Sequence, residues 1–163
     1  MEAGDPIAVY NLGIYYREGE YGFPQDYDKA LELWHRSTEL GNAGANNSIG
    51  YAYDEGRGVE VDRKKGMYYY ELAAMGGNVG ARHNLGCMEE EAGKMDRAIK
   101  HFMIAVGGGY TGSLERIKGL YTYGHATKDD YTKALQLYQA YLGEIKSDQR
   151  DKAAEADERY RYY

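Results

Sequence analysis

Four segments of this 163-residue chain repeat one another in register, and that repetition leaves few folds open. They begin Gly4-Asp-Pro-Ile-Ala8, Gly41-Asn-Ala-Gly-Ala45, Gly77-Asn-Val-Gly-Ala81 and Gly109-Tyr-Thr-Gly-Ser113. Each sets a small residue four positions after its first glycine and an aliphatic residue four further on: Leu12, Ile49, Leu85 and Ile117. Gly13, Gly50 and Gly86 follow directly, with Lys118 in the fourth copy, and three residues later come Tyr16, Tyr53, Glu89 and Tyr121. Steps of four keep side chains on one face of a helix and cannot build an alternating strand.

A second helix completes each unit. It carries a small residue and, four later, an aromatic: Ala30 and Trp34, Gly66 and Tyr70, Ala98 and Phe102, Ala134 and Tyr138. Three positions beyond stand Ser37, Ala73, Ala105 and Tyr141. Where two antiparallel helices cross closely, Gly, Ala or Ser lets the backbones approach, and the aromatic fills the wedge toward the next pair. A lone pair cannot bury its apolar stripe, so stacking must supply the core. The pattern places helices near 6–19, 27–40, 43–55, 62–75, 78–92, 95–106, 110–123 and 129–142. Asp5-Pro6 reads as an N-cap followed by proline at the first helical position. Asp26, Asp62 and Asp130 each precede a second helix by the same distance. In the tail, Ser147 as a cap and the stripe Ala153, Ala156, Tyr160, Tyr163 predict a ninth helix closing the last repeat.

At Ala8-Val-Tyr-Asn-Leu-Gly13 and Ala81-Arg-His-Asn-Leu-Gly86 the chain resembles the Sel1-like repeat family, a branch of the tetratricopeptide superfamily. The loop Gly56-Arg-Gly-Val-Glu-Val-Asp62, followed by Ala73-Ala-Met-Gly76, is similar to the family's loop and repeat ending, and Gly22-Phe-Pro-Gln-Asp26 is a looser version. The resemblance covers roughly residues 4–143. It implies an all-α fold, a right-handed α/α superhelical solenoid of helix-pair repeats, here at about 4–40, 41–76, 77–108 and 109–142, with 144–163 as a C-terminal capping helix. Two departures stand out. The third repeat has a shortened loop, the plain tetratricopeptide spacing. Lys118 in place of glycine predicts a fourth pair that splays or shifts register.

In the superfamily the first helix of each repeat lines the concave face. The positions that face it here are Tyr10, Ile14 and Arg17; Asn47, Tyr51 and Asp54; His83, Cys87 and Glu90; and Glu115, Gly119 and Thr122. Tyr10, Tyr51, Asn47 and His83 are the expected centre of a partner groove, since tyrosine offers apolar area with a polar tip at low entropic cost. Set against this, solenoid surfaces are tyrosine-rich anyway, and this chain has 19 Tyr. Glu18, Asp54, Glu55, Glu89, Glu90 and Glu91 crowd the ends of the first helices. They predict an acidic rim suited to a basic partner segment, or else an ordinary solvated edge.

His83 and Cys87 share a helix face at i, i+4, but two ligands on one helix are a weak metal signal. The reading is therefore no metal and no cofactor. Serine-nucleophile, Walker, dinucleotide and zinc-protease motifs are absent from the sequence, so a non-catalytic adaptor is expected. A hydrolase of the β-lactamase type, implied by cysteine-rich members of the resembled family, is disfavoured by the single Cys87.

The net charge of −6 argues against a nucleic-acid partner, and no apolar run is long enough to insert in a membrane. The expected partner is a protein or peptide, in a cytoplasmic or nuclear setting because no leader is visible. A first repeat with no helix before it also allows self-association through its open face.

Overall fold

The computed structural model describes residues 4–160, with side chains described through residue 149 and at Lys152. Among the described residues eight helices follow one another: α1 (Pro6–Glu18), α2 (Tyr27–Glu39), α3 (Ala45–Glu55), α4 (Arg63–Met75), α5 (Val79–Glu91), α6 (Met95–Gly107), α7 (Thr111–Thr122) and α8 (Lys128–Tyr160). Among the described residues there is no strand. The chain divides into two compact units, Met1–Met88 and Glu89–Tyr163.

Local chemistry sets the helix starts. The Asp5 carboxylate accepts the Ile7 N–H at 3.0 Å, with Pro6 opening α1. Asp26 accepts the Lys29 N–H at 2.8 Å and Asp62 the Lys65 N–H at 3.1 Å. Asp130, expected to be the corresponding cap, is not one. Thr127 precedes α8, its hydroxyl accepts the Asp130 N–H at 3.1 Å, and Asp130 in return accepts the Thr127 N–H at 2.9 Å and hydroxyl at 2.6 Å. Threonine is the better cap here because its neighbour at the third helical position can answer it, a reciprocal box that starts the helix earlier.

In the first unit the small residues do what their spacing predicts. A Cβ on Gly13 would lie 2.5 Å from Trp34 Nε1 and 3.2 Å from the Ala30 carbonyl oxygen, so α1 and α2 touch backbone to side chain there. A Cβ on Gly50 would lie 3.1 Å from the Gly66 carbonyl oxygen, and one on Gly66 the same distance from that of Gly50, which brings α3 and α4 together through two glycines. Each mid-helix glycine costs about 1 kcal/mol in propensity. Burial of the adjoining aromatic, about 1.5–3 kcal/mol for a large side chain, offsets it.

Trp34 packs with Ala30 and with Ala45, Ile49 and Ala52 of α3, so it closes its own pair and seats the next one. Tyr70 repeats the arrangement with Ala73, Ala74, Ala81, Leu85 and Met88. Ser37, fully buried in the small slot, donates to the Pro6 carbonyl at 2.7 Å and ties the end of α2 to the start of α1.

In the second unit Phe102 is fully buried with Ala98, Ala105 and Val106 of α6, Ile117 of α7 and Ala134 of α8. The fourth copy departs from the other three. α7 buries Ser113, Ile117 and Leu120 but turns Lys118 to water, where it pairs with Glu115 at 3.7 Å. Tyr138 is only half-buried, and Tyr141, in the slot that holds Ser or Ala elsewhere, lies hard against Gly109, whose φ of 87° and lack of a side chain make room for the ring.

The separate ninth helix does not exist. α8 runs unbroken for 33 residues and Ser147 lies in its interior. Residues 143–160 hold no proline and only Gly143 as a breaker, amid Ala, Glu, Lys, Arg and Gln, so nothing ends the helix after residue 142. Of the stripe proposed to pack over the last repeat, Tyr163 and the side chains of Ala153, Ala156 and Tyr160 lie outside the described residues.

Candidate partner-binding face

The first-helix positions fall into two kinds once their neighbours are known. Tyr10 and Ile14 on α1 are half-buried and pack against the Trp34 cluster. The Tyr10 hydroxyl lies 3.4 Å from Ser48 Oγ on α3. One repeat on, Asn84 Nδ2 of α5 donates to Asn47 Oδ1 of α3 at 3.1 Å. The position three before the glycine in one repeat thus meets the position two before it in the next. Tyr10 and Asn47 serve as polar stitches along the seam between consecutive first helices. They fix the face as well as contribute to it, a role the helical stripe alone did not reveal.

Tyr51, on α3 between Asn47 and Asp54, is 40% exposed and available to a partner. His83 and Cys87 are half-buried on α5, with Cys87 Sγ 3.5 Å from His83 Nε2. Among the described residues no three His, Cys, Asp or Glu side chains gather as a metal-holding group.

The charged positions are engaged within the chain. Arg17 Nη2 lies 2.6 Å from Glu18, and its guanidinium sits over the Trp34 ring at 5.9 Å. Asp54 meets Arg63 Nε at 3.2 Å. Glu89, in the slot that holds tyrosine in the other three copies, is 3% exposed, and its carboxylate meets Arg97 at 2.7 Å and Lys94 at 3.5 Å. The acidic rim read from the sequence is therefore largely compensated by the protein's own cations. Lys94 and Arg97, in and just after the shortened α5–α6 turn, carried no signal in the repeat pattern, because only burial shows what they answer.

Glu90 belongs to the second unit. There it lines a groove of about 540 Å³ with Met95, Arg116, Gly119, Leu120 and Tyr123. Glu115, also expected on the face, and His125 complete the rim. Thr122, the remaining α7 position, is exposed and donates its hydroxyl to the Lys118 carbonyl at 2.9 Å. Burial also perturbs two side chains of second helices. Tyr70, packed in the core, has its phenol pushed far above the usual range by desolvation. His35, half-buried edge-on to the Tyr69 ring at 5.8 Å, is held below the ordinary histidine value by desolvation, against an opposing pull from Glu39.

Helix pairs joined at small-residue crossings, with aromatic wedges closing one pair onto the next, define an all-α repeat solenoid. The family model described as Sel1 repeat matches residues 6–42, 43–78 and 119–140, more than half of the chain, and the chain belongs to the Sel1 repeat family. The interval between the matched segments holds both departures from the repeat, the short α5–α6 turn and Lys118.

Two relatives are an ERAD-associated E3 ubiquitin-protein ligase component, HRD3B, of Arabidopsis thaliana and chitin synthase regulatory factor 4 of Schizosaccharomyces pombe. The first is 29% identical over 101 residues, covering 61% of this chain and 16% of that protein. The second is 25% identical over 115 residues, covering 70% and 18%. The chain thus spans less than a fifth of either relative. Among solved structures, the protective antigen c5321 of uropathogenic Escherichia coli, which displays an SLR fold, aligns with a TM-score of 0.72 at 27% identity over 88% of this chain and 31% of that one. No helix among the described residues is long and apolar enough to cross a membrane.

Proposed function

We propose that the chain is a non-catalytic scaffold that binds a protein or peptide partner on the face built by α1, α3 and α5. The observation that carries this reading is the stitched seam. Tyr10 with Ser48 and Asn47 with Asn84 hold α1, α3 and α5 in fixed register, so the exposed Tyr51 is presented on a rigid strip rather than a mobile loop. Rigid aromatic side chains lose little entropy on binding and dominate interface energetics. The relatives support the same reading: one is a ligase component and the other a regulatory factor.

The test is affinity capture by the full chain compared with Tyr51→Ala and Tyr68→Ala. Tyr68 is a matched control, 55% exposed on the second helix α4. Tyr51→Ala should lower affinity for the captured partner about tenfold or more, as expected for an aromatic anchor, and Tyr68→Ala should leave it unchanged. Equal retention by both variants refutes the reading. Tyr10→Ala is not a clean probe, because Tyr10 also packs on the core and its loss lowers stability.

One observation favours self-association as a second reading. On α1, Ala8 is exposed, Leu12 is half-buried and Ile7 is 62% exposed, whereas the matching Ala45 and Ile49, and Ala81 and Leu85, are buried beneath a neighbouring pair. Sedimentation equilibrium of wild type and Leu12→Glu tests it: a mass that rises with concentration only in the wild type supports it, and identical monomers dispose of it.

A further inference from the structure

We infer that the Asn47–Asn84 pair reads the main chain of the partner: it holds the N–H and C=O of one residue in an extended segment, while an apolar side chain of that segment packs on Tyr51. The inference rests on the scaffold reading and assigns the partner's conformation and the group that is recognised.

Three observations within residues 1–88 converge. Asn84 Nδ2 donates to Asn47 Oδ1 at 3.1 Å, which fixes both carboxamides against one another across α3 and α5. That bond uses the Asn47 oxygen and one Asn84 N–H, leaving the Asn47 NH2 group and the Asn84 oxygen. Both residues are half-buried between the buried Ser48 and Leu85, yet these remaining atoms stay open to water. Tyr51, exposed, stands one turn beyond Asn47 on the same face of α3.

The two carboxamides therefore present a donor beside an acceptor. In an extended chain the N–H and C=O of one residue point the same way, so a single residue can answer both at once. A helical segment cannot, because its main-chain groups are already bonded to one another except at the ends. Charge does not decide the choice: on this face Arg17 is paired with Glu18 and Asp54 with Arg63. Since each amide already orients the other, little ordering is lost when a partner binds.

The experiment uses the full chain, isotope-labelled, titrated with a blocked peptide of alternating Thr and Val and with its analogue methylated at every amide nitrogen. The analogue keeps each side chain and carbonyl but has no main-chain N–H. The unmodified peptide should move the side-chain NH2 signals of Asn47 and Asn84 saturably and bind about tenfold more tightly than the analogue. The double variant Asn47→Leu, Asn84→Leu replaces both partners by apolar groups of similar size, so the seam stays filled and the melting temperature stays near that of wild type. In it the preference for the unmodified peptide should vanish. Equal affinity for peptide and analogue in the wild type, or an undiminished preference in the double variant, overturns the inference. Shifts at Tyr51 with both carboxamide signals unmoved overturn it while leaving the scaffold reading in place, and no shifts on α1, α3 or α5 count against both.

Discussion

Replacing Gly13 by alanine should destabilise the protein, against the usual rule for helices. In an open helix, glycine to alanine gains about 1 kcal/mol of propensity. Here the added Cβ would lie 2.5 Å from Trp34 Nε1, about 1 Å inside ordinary contact, with the Ala30 backbone oxygen at 3.2 Å blocking the other way out. Overpacking of this kind costs about 1–3 kcal/mol. Gly119→Ala supplies the reference, because its Cβ meets open space and it therefore keeps the propensity gain alone. The two variants should differ by about 1–3 kcal/mol, or very roughly 2–10 °C in melting temperature for a chain of this size.

Circular dichroism through heat and urea reads both quantities. A double variant sharpens the test. In a Trp34→Phe background the nearest atom of the overlap is gone, so Gly13→Ala should be less damaging there by about 1 kcal/mol, a coupling typical of residues in contact. If Gly13→Ala is as stable as Gly119→Ala, or if Trp34→Phe leaves its effect unchanged, the close crossing does not hold the pair together.

Three further outcomes are expected. Thr127→Ala should lower stability by about 1 kcal/mol through loss of the N-cap, and an NMR titration should show the Asp130 carboxyl, now held below its ordinary value by hydrogen bonds from the Thr127 hydroxyl and N–H, returning upward; an unmoved titration refutes the box. His35 has a folded-state pKa below its ordinary 6.5, so the unfolded chain binds the proton more readily; its contribution is fully present above that value and is lost as pH falls through it. His35→Gln should therefore flatten stability between about pH 7 and 5, and an unchanged slope refutes the assignment. Arg97→Ala removes the closest partner of the buried Glu89 carboxylate and should cost about 1–3 kcal/mol, measured by urea unfolding; a neutral result places the stabilisation on Lys94 alone.

The repeat pattern carried the fold because it records contacts. Gly13, Gly50 and Gly66 are small where backbones meet, and Trp34, Tyr70 and Phe102 are large where pairs close, so residue size by itself reports the packing. The C-terminal region was less legible. Ser147 has the right chemistry for a cap, yet capping propensity decides little when no breaker precedes it and α8 can simply continue. Aspartate serves equally as a cap or as the residue that answers one, so Asp130 does not by itself fix where α8 starts. At the candidate face, a stripe could place Tyr10 and Asn47 on the right side of a helix but not show that they bond to Ser48 and Asn84, since the register between helices lies outside any one helix's periodicity. The burial of Glu89 was similarly hidden: its slot predicted an aromatic, and its cations come from the following turn and helix.

Hydrogen exchange of the full chain, alone and with its captured partner, asks the most of this account. Binding on the face of the stitched first helices predicts added protection in α1, α3 and α5, with little change in α2 and α4. Protection confined to those second helices, or absent from every helix, would contradict it.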